Sequence, residues 1–148
     1  MPAEMKTTIT FTPEQILEAA RWNVLRLSLA AAAFAKANAL SPAEFWAFMG
    51  HQIAAGMARR QPAAELAQGA ALNMVSAGCE LHSLSGDESE ATAALGGWPP
   101  EQRYGLTQEE ADTIWGVFGP VAEQQGFSYA WQRQGDEVTM TFLRRSNA

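Results

Sequence analysis

Cys79, Glu80 and His82 put three reactive side chains into one short stretch of this 148-residue chain. A cysteine with a histidine suits a thiolate nucleophile and its base, or a pair of metal ligands. The surrounding Cys79-Glu80-Leu81-His82-Ser83-Leu84 alternates in character and reads as a strand. Residues three apart on a strand point to opposite faces. Cys79 is therefore expected in the core with Leu81, as a small buried hydrophobe, and His82 outside beside Glu80. His82 as base and Glu80 as its orienter form the candidate catalytic pair, and the sequence offers no strong nucleophile for that face.

Other polar clusters carry less. His51 lies off the apolar stripe of a helical stretch, near Glu44 and Phe48. A metal site built from Glu44, His51 and His82 needs that helix to meet the sheet's outer face, and the pattern does not bring them together. Asp87, Glu88 and Glu90 gather at a turn without the alternating ligands and closing glutamate of a calcium loop. Glycine-rich phosphate loops, GxSxG and HExxH are missing as well. No metal or cofactor is expected.

The aromatic residues suggest a binding site. Of the five tryptophans, most are expected in the core. Trp98 stands apart in Gly96-Gly97-Trp98-Pro99-Pro100, close to Arg103 and Tyr104. A tryptophan on a proline-stiffened loop can roof an apolar pocket, while a nearby cation holds a ligand's anionic head. Trp98, Arg103 and Tyr104, with Tyr129 and Trp131 below them, are the expected ligand-binding residues.

The elements that must position these residues are marked by one start signal used three times. Thr12-Pro13-Glu14-Gln15, Ser41-Pro42-Ala43-Glu44 and Thr107-Gln108-Glu109-Glu110 each place a hydroxyl at a helix N-cap and a Gln or Glu three residues on. The preceding Phe11, Leu40 and Leu106 can staple onto Ile16, Phe45 and, more weakly, Ala111.

The first helix should run from Pro13 to about Ala37 and carries two apolar stripes. Ile16, Ala20, Val24, Leu27, Ala31 and Phe34 make one; Trp22, Leu25, Leu29 and Ala32 make the other. So wide an apolar arc asks for cover on two sides. One side points to a second subunit, with Leu25 and Leu29 as candidate contacts. Further helices are expected from Pro42 to about Arg60, from Ala63 to Ser76 with Leu72 on the inner stripe, and from Gln108 to about Gln125. Gly119-Pro120 should kink or break the last after Phe118.

Two strand pairs complete the pattern, around Ser85–Glu88 and around Gln134-Gly135-Asp136. In the second, Phe127, Tyr129 and Trp131 face one way with Val138, Met140 and Phe142. The expected class is α+β: N-terminal helices followed by β-β-α-β-β, forming one antiparallel sheet packed on helices.

The layout from residue 13 to 143 resembles bacterial proteins of the L-2-amino-thiazoline-4-carboxylic acid hydrolase family. Those have helices first, a strand ending in a Cys-Pro step, another helix and a final hairpin. Here Trp98-Pro99 closes the corresponding stretch from Glu90, and the family's late hairpin cysteine has no counterpart. The resemblance implies a relative that binds small molecules and, more distantly, a small hydrolase; no catalytic residue carries over.

Composition bounds the rest. The chain is 47% apolar and 18% charged, with net charge −6, which fits one globular domain over residues 1–148, with 1–10 a loose N-terminal segment. An acidic chain with two lysines has no basic patch for nucleic acid or an anionic membrane. One cysteine excludes an internal disulfide. The run from Leu27 to Ala35 is far short of the roughly 20 residues that span a bilayer. A cytoplasmic homodimer, paired through its first helix and binding a small, mostly apolar ligand, is the expectation. The alternatives are the small hydrolase and a purely structural or interaction subunit.

Overall fold

Each of the three cap signatures begins a helix. A computed structural model describes residues 10–57, 60–96 and 104–146. Helix α1 spans Pro13–Ala37, with the Thr12 hydroxyl and the Gln15 side chain forming a reciprocal capping box. Helix α2 spans Pro42–Ala55 under Ser41, and α4 spans Gln108–Asp112 under Thr107. Leu106 and Ala111, the weakest expected staple, are buried, whereas Phe11, Ile16 and Leu40 remain exposed. Tertiary cover, not the cap, decides which staple closes.

Helix α3 (Ala63–Ser76) starts differently. Pro62 offers no side-chain cap. The Ala63 and Ala64 amides instead donate to the carbonyls of Glu88 and Asp87, at the turn between strands β1 (Glu80–Gly86) and β2 (Glu90–Gly96). The acidic turn is thus structural. Asp87 Oδ1 accepts from the Ser89 and Glu90 amides and the Ser89 hydroxyl, which holds its carboxyl below the usual carboxylate range.

Strands β3 (Phe127–Gln134) and β4 (Glu137–Arg144) form the C-terminal hairpin. The turn leaves Gly135 at φ +60, where glycine is favoured. The sheet is antiparallel throughout, in the order β1-β2-β4-β3. The fold is α+β. Its inner face buries Ala91, Ala93, Leu95, Phe127, Val138, Met140 and Phe142. Helix α3 covers β2, β4 and part of β1, while α5 (Phe118–Gln124) covers β3. Helix α2 packs outside these, and α1 is outermost.

Several expectations are corrected. Helix α2 stops at Ala55, with Gly56 as C-cap, rather than running to Arg60; glycine is a poor helix residue there. Leu72 is 66% exposed, because α3 turns Leu66, Ala70 and Met74 inward instead. The last helix is three pieces: α4, a 3-10 segment over Thr113–Val117, and α5. The break therefore precedes Phe118. Pro120 lies in the first turn of α5, where backbone N–H groups have no helical partner to lose. The 3-10 stretch uses its carbonyls outside the helix: Trp115 O accepts from the Tyr129 hydroxyl at 2.5 Å.

Helix α1 splits its two stripes between two environments. Leu25, Leu29, Ala32 and Ala35 are buried in the chain's own core, so Leu25 and Leu29 are not contacts for a second subunit. The opposite stripe faces out, with Leu27 70%, Phe34 69% and Ile16 59% exposed. Every residue from 10 to 24 is exposed, so the helix leaves the body as an arm. Among the described residues, no helix is long and apolar enough to cross a membrane.

Candidate functional site

The period-two inner face of β3 runs Phe127, Tyr129, Trp131 and then Arg133, a cation where the pattern calls for an apolar residue. Burial of that charge requires a partner. Asp112, 4% exposed at the end of α4, supplies it. Arg133 Nε and Nη2 donate to the two Asp112 carboxylate oxygens, each at 2.6 Å, and Gln108 Nε2 donates to Oδ1 at 3.1 Å. The fork-on-fork geometry is the strong form of such a pair. It locks α4 to the hairpin turn, where Arg133 Nη1 also donates to the Gly135 carbonyl. Sequence reasoning missed both residues. The inward charge at position 133 was the available signal.

Cys79 lies just ahead of β1, buried at 5% exposure. Desolvation pushes its thiol up to about 12, with the Arg133 charge drawing it partly back. Such a thiol is a packed hydrophobe, not a nucleophile. A disulfide-exchange reagent should therefore label Cys79 only at the rate of global unfolding, and labelling at a free-thiol rate in native buffer would contradict this burial. The sign with pH follows. The unfolded thiol ionises near its ordinary value while the folded one stays protonated, so stability falls as pH rises from that value toward 12. Tyr129 adds in the same direction, since burial pushes its phenol well up.

His82 faces outward as expected, but Glu137, not Glu80, holds it. Its Nδ1 lies 2.6 Å from Glu137 Oε2, two strands away. A bulge between Leu81 and Ser83 gives the histidine its reach. The ring crosses Gly96 of β2, where an added Cβ would sit 2.6 Å from Cε1 and 2.8 Å from Nε2. One ring edge meets the carboxylate and the other lies on a glycine, a cross-strand clip over β2. Leu81 is 44% exposed rather than buried, because β1 is the sheet's edge and its cover is partial.

Trp98 and Arg103 lie outside the described residues. Tyr104 is half-buried against the core. Tyr129 meets Phe118 edge-on and Phe142 at a tilt, its hydroxyl donating to Trp115 O, and Trp131 is half-buried against the same core. Neither Tyr129 nor Trp131 lines a cavity that opens elsewhere among the described residues. That cavity, about 210 Å³, opens between α2, α3 and α5 over Phe142 of β4. Ile53, Met57, Leu66, Phe118 and Val121 supply its apolar wall, and Gln61, Glu65 and Asn73 its polar part. His51 and Glu44 are exposed on α2. Among the described residues no group of three or more His, Cys, Asp or Glu side chains is placed to hold a metal ion.

Comparison with protein-family models, curated proteins and solved structures finds no match to this chain.

Proposed function

We propose that this chain is a self-associating subunit, a homodimer formed through α1, whose apolar cavity takes a small, mostly apolar ligand. The carrying observation is the opposition of the two α1 stripes: one is buried in the chain's own core, while Ile16, Val24, Leu27 and Phe34 face outward. Contiguous apolar surface of this kind marks an interaction site on a soluble protein. The cavity beneath α2 has the apolar lining and few polar groups of a small-molecule site, though at about 210 Å³ it suits only a small ligand. A single unpaired cysteine and an acidic balance suit a reducing, cytoplasmic setting without nucleic acid.

Native mass spectrometry on freshly purified protein tests both parts. A dimer carrying extra mass supports them together. A monomer at micromolar concentration overturns the subunit reading, and a bare dimer that takes up no apolar dye removes the ligand. The double variant Leu27→Glu/Phe34→Glu should be a folded monomer with unchanged circular dichroism. Leu25→Glu/Leu29→Glu should instead lose the fold, since those side chains are core. A dimer that survives the first pair places the interface elsewhere.

A further inference from the structure

Resting on that reading, we infer that the α1 arm is self-complementary and pairs antiparallel with α1 of a second copy, crossing between Leu17 and Ala20. Everything from residue 10 to 24 is exposed, including Ile16 at 59%, Leu17 at 52% and Val24 at 43%. At 3.6 residues per turn, Ile16, Ala20, Val24 and Leu27 share one face. Glu14 and Arg21, two turns apart, flank that face along one edge. Neither makes an ion pair among the described residues. On the other edge the Arg26 guanidinium lies 5.4 Å from the centre of the Trp22 ring and is already engaged.

Direction follows from which edges meet. In an antiparallel two-fold pair each edge faces its own copy, so Glu14 of either chain meets Arg21 of the other, twice. The same crossing, centred near position 18, brings Ile16 beside Ala20 of the second copy. In a parallel pair the Glu14–Arg21 edge faces Gln15, Ala19 and Arg26, which offer no carboxylate to Arg21 and set a second arginine beside it. The charge pattern selects the antiparallel arrangement.

Cysteine crosslinking and charge exchange test it on the full chain. Leu17→Cys should form an interchain disulfide under mild oxidation, because the two copies of position 17 lie beside the crossing. Val24→Cys should not, since its two copies stand about 18 Å apart along the axis, beyond disulfide reach. Buried Cys79 does not compete in either variant. Arg21→Glu and Glu14→Arg should each weaken the dimer roughly tenfold by sedimentation, and the double exchange should restore it to within about threefold. Crosslinking at both positions makes the pair parallel, because Leu17 and Val24 stand seven residues apart on one side of the helix, and overturns the inference alone; crosslinking at Val24 only moves the crossing and overturns it too. A dimer that crosslinks at neither position, or ignores the charge exchange, also overturns it. A wild-type monomer overturns the proposed function with it.

Discussion

Asp112→Ala is expected to destabilise the chain by about 3 kcal/mol, the lower end of the range for removing one member of a buried ion pair. The lower end applies because Arg133 keeps 19% of its side chain exposed and can recover some hydration. The loss comes less from the vanished attraction than from an uncompensated guanidinium beneath α4. Urea denaturation of the variant should show an earlier midpoint with an unchanged slope. A companion variant separates the two causes. Asp112→Ala/Arg133→Met removes both charges and should recover most of the stability, because a buried pair is often worth little against an apolar substitute. If the double variant is as unstable as the single one, the pair is not the reason for the loss.

Gly50→Val should cost about 3 kcal/mol, against the usual direction of a change away from glycine in a helix. Replacing a mid-helix glycine normally gains about 0.5–1 kcal/mol with alanine. Here α2 runs so close to the 3-10 segment that any Cβ at position 50 would clash with the Val117 carbonyl oxygen and lie 3.0 Å from Pro120 Cδ. The obstruction is backbone and a proline ring, neither of which can swing away, so overpacking exceeds the propensity gain. Gly50→Ala should already be destabilising in a thermal melt. A melt at or above the wild-type temperature would mean that α2 shifts freely over the 3-10 segment.

Local grammar carried much of this fold. The caps at Thr12, Ser41 and Thr107 and the alternation in the C-terminal hairpin depend on neighbours in sequence, and each lies where the residues place it. What the sequence hid depends on tertiary contact. Which α1 stripe faces the body is decided by the packing of α2 and α3, and both stripes are equally apolar on paper. The Trp115 carbonyl of the 3-10 segment accepts from the hydroxyl of a tyrosine fourteen residues on, a contact no local pattern carries. Glu137 holds His82 across two strands only because Gly96 leaves room. For Arg133 the period-two pattern did carry the signal, as an inward charge needing a carboxylate. The expected Trp98 and Arg103 site rested on a loop outside the described residues.

The start of α3 has a consequence for how the chain assembles. Because its first amides bond to the tip carbonyls of Asp87 and Glu88, the closed hairpin supplies the N-terminal cap that Pro62 cannot. The hairpin in turn lies under α3, which covers part of β1 along with β2 and β4. Helix and strand pair therefore support each other. They are expected to exchange their amides as one cooperative unit, contiguous from residue 62 to 96, which the C-terminal hairpin joins through β4.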